Sequence, residues 1–300
     1  MSRIEWTEQT WNPIVGCSVV SPGCTNCYAM KMANRLAANP ATPHYAGTVK
    51  PSRGGPVWTG KVALASEDVL TAPLRRRKPT TYFVNSMGDL FHENVPDDWI
   101  DRVWSVMVRS PQHRFQVLTK RPARMRDYVQ GLDRAAREAG NQFPPANVWL
   151  GVSAEDQARA DQRIPDLLET HAAVRFVSAE PLLGPVDFGG ALAKIDWVIV
   201  GGESGPDARP MHPQWARDIR DQCQAAGTGF FFKQWGNWLH QSQSVARTYG
   251  VIAADEEFDW EDADNRGLIH IWHDEGASIR LRKTDAGRLL DGREWNEVPE

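Results

Sequence analysis

The chain has 300 residues, is 41% hydrophobic and carries 34 Lys and Arg against 38 Asp and Glu, a formal net charge of −4. That apolar content can bury a full core, as one large domain or as a domain with an extension, while the balanced charge gives no global case for nucleic acid. Four cysteines are too few for a secreted, disulfide-held scaffold. The amino terminus, Met1-Ser2-Arg3-Ile4-Glu5-Trp6, has no apolar run of signal-peptide kind, and no later stretch approaches a membrane span. The expectation is a cytoplasmic protein without a membrane partner.

Three of the four cysteines lie between Gly16 and Tyr28, spaced Cys17-x6-Cys24-x2-Cys27. Gly16 and Pro22-Gly23 supply the restrained or positive φ of a turn-rich loop. In a reducing compartment such a loop is suited to a thiophilic metal rather than to disulfides. Spacing alone leaves the metal open. A histidine from elsewhere, such as His44 or His92, would complete a Cys3His zinc site, whereas three thiolates on an iron–sulfur cube leave one iron without a protein ligand.

Tyr28 to Ala38 has few breakers and predicts a helix directly after the loop. Residues 39–60, rich in Pro and Gly, read as an excursion, and Lys61 to Leu70 as a short strand with a helical turn. The basic run Arg75-Arg76-Arg77-Lys78, like Lys120-Arg121 with Arg124 and Arg126, is by default a solvated face, with phosphate binding as the second reading.

A repeated grammar follows. Apolar, β-rich runs occur at Tyr82–Val84, Phe115–Leu118, Val148–Val152, Val174–Val177, Trp197–Val200 and Phe230–Phe232, about one βα unit apart. Between them, Trp99, Ile100, Val103, Trp104, Met107 and Val108 share a helical face. Met125, Tyr128, Val129 and Leu132 share another, and Trp215, Ile219, Cys223 and Ala226 a third. Cys223 thus reads as a small core hydrophobe rather than a ligand. Near-continuous apolar strands alternating with helices imply a parallel sheet. Six of them, with one more feeding the cysteine loop, predict an α/β fold: a complete or partial TIM-like (β/α) barrel of parallel strands over residues 1–238. An open doubly wound sheet is the alternative, weakened because no glycine-rich dinucleotide fingerprint follows a strand. Residues 239–300 read as a C-terminal extension packed on the barrel, with an acidic stretch from Val251 to Asn265, a hairpin-like Ile269 to Leu281 and a closing turn at Ala286 to Gly292.

Chemistry in such barrels gathers at the C-terminal strand ends. Here those ends read Asn85-Ser86-Met87-Gly88-Asp89, Thr119-Lys120-Arg121-Pro122, Ser153-Ala154-Glu155-Asp156, Ser178-Ala179-Glu180-Pro181, Gly201-Gly202-Glu203-Ser204-Gly205 and Lys233-Gln234-Trp235-Gly236. Any one of these residues is as readily a cap or turn former, as Ser153 and Asp156 would be for the next helix. Together, Lys120, Glu155, Glu180, Glu203 and Lys233 are expected to point into one mouth, where so many charges call for a polar ligand. The cysteine loop is expected to open onto the same mouth.

The cysteine loop, the run Phe83 to His92, Leu118 to Pro122 and the later strand ends through Phe231 to Gly236 resemble an uncharacterised bacteriophage and prophage three-cysteine-motif family. That family in turn is similar to radical S-adenosylmethionine (SAM) enzymes and, distantly, to spore photoproduct lyase. The resemblance covers nearly the whole chain, including Gly287 to Pro299. It implies a 4Fe–4S cluster on Cys17, Cys24 and Cys27, with SAM on the fourth iron and reductive cleavage to a 5′-deoxyadenosyl radical. It also implies cofactor-binding roles for Tyr28 beside the last cysteine, for Ser86 and Asp89 at the methionyl amino group, for Lys120 at the carboxylate and for Ser153 and Glu155 at the ribose. Glu180, Glu203 and Lys233 join this set at the mouth, where Lys233 and Gln234 of a seventh strand narrow the entrance. The chain departs from the usual C-x3-C-x2-C motif in its first gap of six. A nucleic-acid or nucleotide substrate, an electron donor such as flavodoxin or ferredoxin, and a phage-encoded partner protein are the partners implied. Two readings from other classes compete. One is a non-enzymatic zinc-binding, phage-associated barrel protein that binds a partner; the other is a metal-free glycosidase-like barrel using Glu180 and Glu203.

Overall fold

All six apolar runs are strands, and the strand expected to feed the cysteine loop joins them. The computed structural model describes residues 4–243, 266–273 and 276–299. In chain order its strands and helices are β1 (Gln9–Trp11), β2 (Ile14–Val15), α1 (Tyr28–Ala37), β3 (Val49–Ser52), β4 (Gly55–Trp58), β5 (Ala63–Leu64), α2 (Glu67–Leu70) and α3 (Ala72–Arg75). There follow β6 (Thr81–Val84), α4 (Asp97–Val108), β7 (Arg114–Thr119), α5 (Pro122–Glu138), β8 (Val148–Ser153), α6 (Gln157–Glu169), β9 (Val174–Ala179), β10 (Trp197–Gly201), α7 (Pro213–Ala226) and β11 (Gly229–Gln234). The last are β12 (Trp238–His240), β13 (Ile269–Ile271), β14 (Ala277–Arg280) and α8 (Lys283–Ala286).

The main sheet has seven parallel strands in the order β1-β6-β7-β8-β9-β10-β11, so each new strand after β6 is laid beside the last. This is a parallel half-barrel, a partial TIM-like barrel, with a small antiparallel sheet β12-β14-β13 near the C-terminus. The expected hairpin is β13 and β14, and β12 adds the third strand. The expected acidic stretch, Val251 to Asn265, lies outside the described residues.

Alternation along the strands separates two cores. Tyr82, Val84, Phe115, Val117, Leu150, Val152, Val198, Val200, Phe230 and Phe232 belong to the layer shared with the helices. Phe83, Leu118, Trp149, Phe176, Trp197, Ile199 and Phe231 belong to the other face, the concave one, with Trp6 among them. Trp6 sits edge-on to Phe83 at 4.8 Å and to Trp197 at 6.1 Å. The N-terminal segment thereby plugs the half-barrel, doing with one indole what closing strands do in a complete barrel. Gly151 on β8 makes room for this packing, since a Cβ there would meet the Phe176 ring at 2.6 Å.

An exposed edge at β11 would be a template for aggregation. The C-terminal segment covers it: Phe232 N donates to Trp295 O, Glu297 N to Phe230 O, and Phe230 N to the Glu297 carboxylate at 2.8 Å. The helical faces follow the expected stripes, with two differences at their ends. Val108 is 45% exposed, and Ala226 is exposed, because each is the last residue of its helix and has turned away from the sheet. Between β9 and β10 the βα grammar lapses. A 3-10 segment, Gly189–Lys194, replaces an α-helix, as Pro181, Gly184, Pro185 and the Gly189-Gly190 pair disfavour continuous helix. No helix among the described residues is long and apolar enough to cross a membrane.

Removing the plug tests its weight. Trp6→Ala is expected to lower the unfolding free energy by about 3–5 kcal/mol, the usual cost of deleting a buried indole, measured from the urea midpoint. A loss below about 1 kcal/mol would show that the concave face collapses without it.

Candidate functional site

The cysteine loop is built on a short backbone relay from the first strands. Gly16, at φ +93°, follows β2; a Cβ there would come within 2.1 Å of Lys61 O, so only glycine passes. Its N–H donates to Met87 O at 3.0 Å, and Gly60 N donates to Cys17 O at 3.1 Å. A 3-10 turn, Pro22–Cys24, then brings the chain back, and Cys27 N donates to Cys24 O at 3.3 Å immediately before α1. Cys17, Cys24 and Cys27 consequently line one cavity of about 420 Å³ at the C-terminal ends of the strands. All three are free thiols. Among the described residues no three His, Cys, Asp or Glu side chains are drawn into a compact group of the kind that holds one metal ion.

Burial pushes the Cys17 thiol up to about 12, with Asp89 adding to the rise and Arg121 opposing it. Burial raises Cys27 as well, helped by the neighbouring Cys24. Arg121 Nη1 donates to Cys17 Sγ at 3.4 Å, and Cys24 Sγ lies 3.7 Å from Ser21 Oγ. Neither histidine considered as a fourth ligand lines the cavity. His92 is buried, its Nε2 2.8 Å from Ser18 Oγ and its Nδ1 accepting from Asn94 N, while the His44 ring packs on Tyr45.

Eleven of the twelve residues singled out in the sequence line this cavity, and Glu155 lies just behind it. Tyr28, with its ring half exposed, donates its hydroxyl to Ser86 O at 3.1 Å, and Ser86 Oγ donates to Asn12 Oδ1. Asp89 is saturated from within: it accepts from Thr119 Oγ1 at 2.7 Å, Phe91 N, Lys120 N and Arg121 Nη1. Ser153 is buried at the end of β8. Asp156 rather than Ser153 caps the following helix, accepting from Arg159 N at 2.9 Å. Lys233 Nζ lies 3.1 Å from Glu180 Oε1, whose other oxygen accepts from Ser178 Oγ.

Two of the carboxylates turn toward the protein instead of the cavity centre. Glu155 is fully buried, with Arg163 Nη1 at 2.8 Å and Lys120 Nζ at 3.7 Å, and its Oε1 accepts from Gly23 N at 3.3 Å. Burial opposes its ionisation, yet Lys120 and Arg163 outweigh it and hold the carboxyl down at about 2. Glu203 takes a double bond pair from Arg209 and a bond from Asn26 Nδ2 at 3.0 Å, while Arg209 Nη2 reaches Pro22 O. Burial again opposes ionisation, and Arg209 and Asn26 keep Glu203 below the ordinary carboxylate range. The ends of β8 and β10 therefore clamp the middle of the cysteine loop from two sides. At Gly23 a Cβ would touch Glu155 at 3.0 Å, so the close approach depends on glycine.

Sequence reasoning missed Asn26, Arg163 and Arg209 as clamp members, and Arg121 as a neighbour of Cys17. Only Arg121 carried a signal, its place at a strand end beside Lys120. It also missed Asn85, held at φ 59° with its Oδ1 accepting from Ile14 N and its Nδ2 buried without a hydrogen-bond partner among the described residues. Gln234 Oε1 is a second such atom on a cavity-lining residue. Below the polar rim, Ile4, Trp6, Phe83 and Leu118 make an apolar floor.

No curated protein matches the chain. Among solved structures it is similar to a spore photoproduct lyase double mutant with bound AdoMet and dinucleoside spore photoproduct, with a TM-score of 0.40 and 10% identity over 94% of this chain and 71% of that one. The family profile described as "Protein of unknown function (DUF5131)" matches residues 1–299, and the chain belongs to that family.

Proposed function

We propose that the chain is a radical SAM enzyme in which Cys17, Cys24 and Cys27 hold a 4Fe–4S cluster over the mouth of the half-barrel. The observation that carries this reading is that three thiols from one loop open onto a single ligand-sized cavity at the strand ends. The donor set is of the right kind: soft thiolates select iron–sulfur or zinc over hard cations, and neither histidine that would complete a zinc site lines the cavity. The cavity fits a polar cofactor too, since the buried Asn85 Nδ2 and Gln234 Oε1 lack partners among the described residues. When both are bound, cluster and SAM supply a 5′-deoxyadenosyl radical for hydrogen abstraction.

The chain's own residues do the rest. Glu155 and the Glu203–Arg209 pair hold the loop so that its sulfurs stay at the rim. Ser86, Lys120, Ser153, Glu180 and Lys233 offer polar contacts to the cofactor around the wall, and Tyr28 shields the last cysteine. The aromatic floor of Trp6 and Phe83 excludes water and suits a flat, partly apolar substrate, for which a nucleotide or nucleic-acid base is our reading. A one-electron donor of the flavodoxin or ferredoxin class would feed the cluster, in keeping with a reducing cytoplasmic setting.

Because burial raises Cys17 and Cys27, metal uptake must expel protons and weakens as pH falls. Anaerobic reconstitution is expected to give about four irons with matching sulfide per chain, and reduced protein incubated with SAM is expected to release 5′-deoxyadenosine. Cys24→Ala should lose the iron, whereas Cys223→Ala, on the buried stripe of α7, should keep it. One tightly held zinc in place of iron and sulfide would replace the enzyme with the partner-binding reading.

The clamp predicts a pH dependence. Glu155 ionises near 2 when folded and near 4.5 when unfolded, so its stabilisation is complete above about pH 4.5 and is lost as pH falls toward 2. The contribution is on the order of 3 kcal/mol. Glu155→Gln should flatten the acid limb of the stability curve in that window. At neutral pH it should cost about 3–5 kcal/mol by stranding the buried Arg163 charge. Chemical unfolding across pH checks both, and a variant whose curve runs parallel to wild type between pH 2 and 4.5 would remove Glu155 from that role.

A further inference from the structure

The guanidinium of Arg121 joins two carboxylates to the sulfur of Cys17. Nε donates to Glu93 Oε2 at 3.0 Å, and Nη1 is shared between Asp89 Oδ2 at 3.1 Å and Cys17 Sγ at 3.4 Å. Asp89 already accepts from Thr119 Oγ1, Phe91 N and Lys120 N, so its hydrogen bonds do not depend on the arginine although its charge does. The Cys17 backbone is likewise held independently, through Gly16 N to Met87 O and Gly60 N to Cys17 O. Yet the side chain is only 11% exposed, and burying a guanidinium is costly unless its charge is used. Its Nη2 is buried with no hydrogen-bond partner among the described residues. Beyond its pairs with Asp89 and Glu93, the further group it reaches is the Cys17 sulfur.

We propose that Arg121 is a redox-positioning residue, whose charged hydrogen bond to Cys17 Sγ raises the reduction potential of the cluster that the loop holds. This rests on the iron–sulfur reading above and deepens it. Reduction adds one electron to the cube, from its 2+ to its 1+ state, with no bond made or broken; the electron comes from a low-potential donor, dithionite in the test. The added negative charge spreads onto the thiolate sulfurs, and a cation donating to one of them stabilises the reduced state more than the oxidised one. Without Arg121 the Asp89 carboxylate would face Cys17 uncompensated, and the local field would turn against the incoming electron. Among the described residues neither Cys24 nor Cys27 receives a hydrogen bond from a cationic side chain, so the influence is concentrated on one corner.

The test compares wild type, Arg121→Gln and Arg121→Lys, each reconstituted anaerobically without SAM. Iron and sulfide per chain are measured first, then the midpoint potential by dithionite titration followed through bleaching of the cluster absorption and the signal of the reduced state. All three are expected to load equally. Arg121→Gln should show a more negative midpoint, and Arg121→Lys should fall between, because lysine keeps the charge but not the fork that reaches three partners. A fully loaded Arg121→Gln with an unshifted or more positive midpoint overturns the proposal. If Arg121→Gln loads poorly, Arg121→Lys decides in the same way, by whether its midpoint moves. Wild type that takes up no iron–sulfur centre sinks the reading of the loop itself, a result separable from an unshifted midpoint in loaded protein.

Discussion

A loop of a dozen residues rich in Gly, Pro and Ser has no conformation of its own, and ordering each residue costs about 1–2 kcal/mol of entropy. The structure meets that cost with charge buried beside the loop. Glu155 and Glu203, from the ends of two parallel strands, each reach a loop amide, and each is neutralised by an arginine from outside the strand. A buried pair of this kind adds little net stability over an apolar one. What it gives is direction, because an arginine that fixes a carboxylate also fixes where its remaining lone pairs point. The three thiols share a rim because two carboxylates hold the chain between them.

This division explains how much was legible. The strands were read from alternation and apolar runs, which the two-core packing requires of the sequence itself: Phe83 and Tyr82, or Phe231 and Phe230, must face opposite layers whatever surrounds them. The strand-end position of Glu155 and Glu203 was equally visible. Their direction was not. It is set by Arg163, a turn and a half into the next helix, and by Arg209, in the loop before α7, and neither carries a periodicity or motif to mark it. The expectation that all the mouth charges gather on one cavity therefore holds for Lys120, Glu180, Glu203 and Lys233, which line it, and fails for Glu155. A strand-end carboxylate in sequence is a candidate for either task, and only the position of its cation decides.

The half-barrel also depends on segments that look like appendages in the sequence. Trp6 fills the concave face that a closed ring of strands would otherwise cover, and residues 295–297 pair with the free edge of β11. Lys283 ties these together across the mouth, 3.2 Å from Glu5, and itself lines the cavity. Neither end of the chain shows the apolar periodicity of a core element. Their roles come from shape, one ring in a hollow and one extended strip along an edge, and shape of that sort leaves almost no trace in a hydropathy pattern.

The six-residue gap between Cys17 and Cys24 follows from the same geometry. A longer connection between two thiols of one cavity is tolerable only if the surplus leaves the site, since surplus chain directed inward would occupy the cavity. Here it leaves. Val19 and Val20 are each 46% exposed, an unusual place for two β-branched hydrophobes, while the residues on either side are recaptured. Ser18 Oγ meets His92, Ser21 is buried beneath Cys24, and the 3-10 turn at Pro22 restores the direction of the chain before Cys24. From Cys24 onward the return is short and tight, with Cys27 N bonded to Cys24 O and α1 beginning at the next residue. The longer gap thus bulges to the solvent side of the loop, and the close pair lies on the side that the two carboxylates hold. An added residue between Ser18 and Ser21 lengthens a bulge, whereas one between Cys24 and Cys27 would displace a sulfur from the rim.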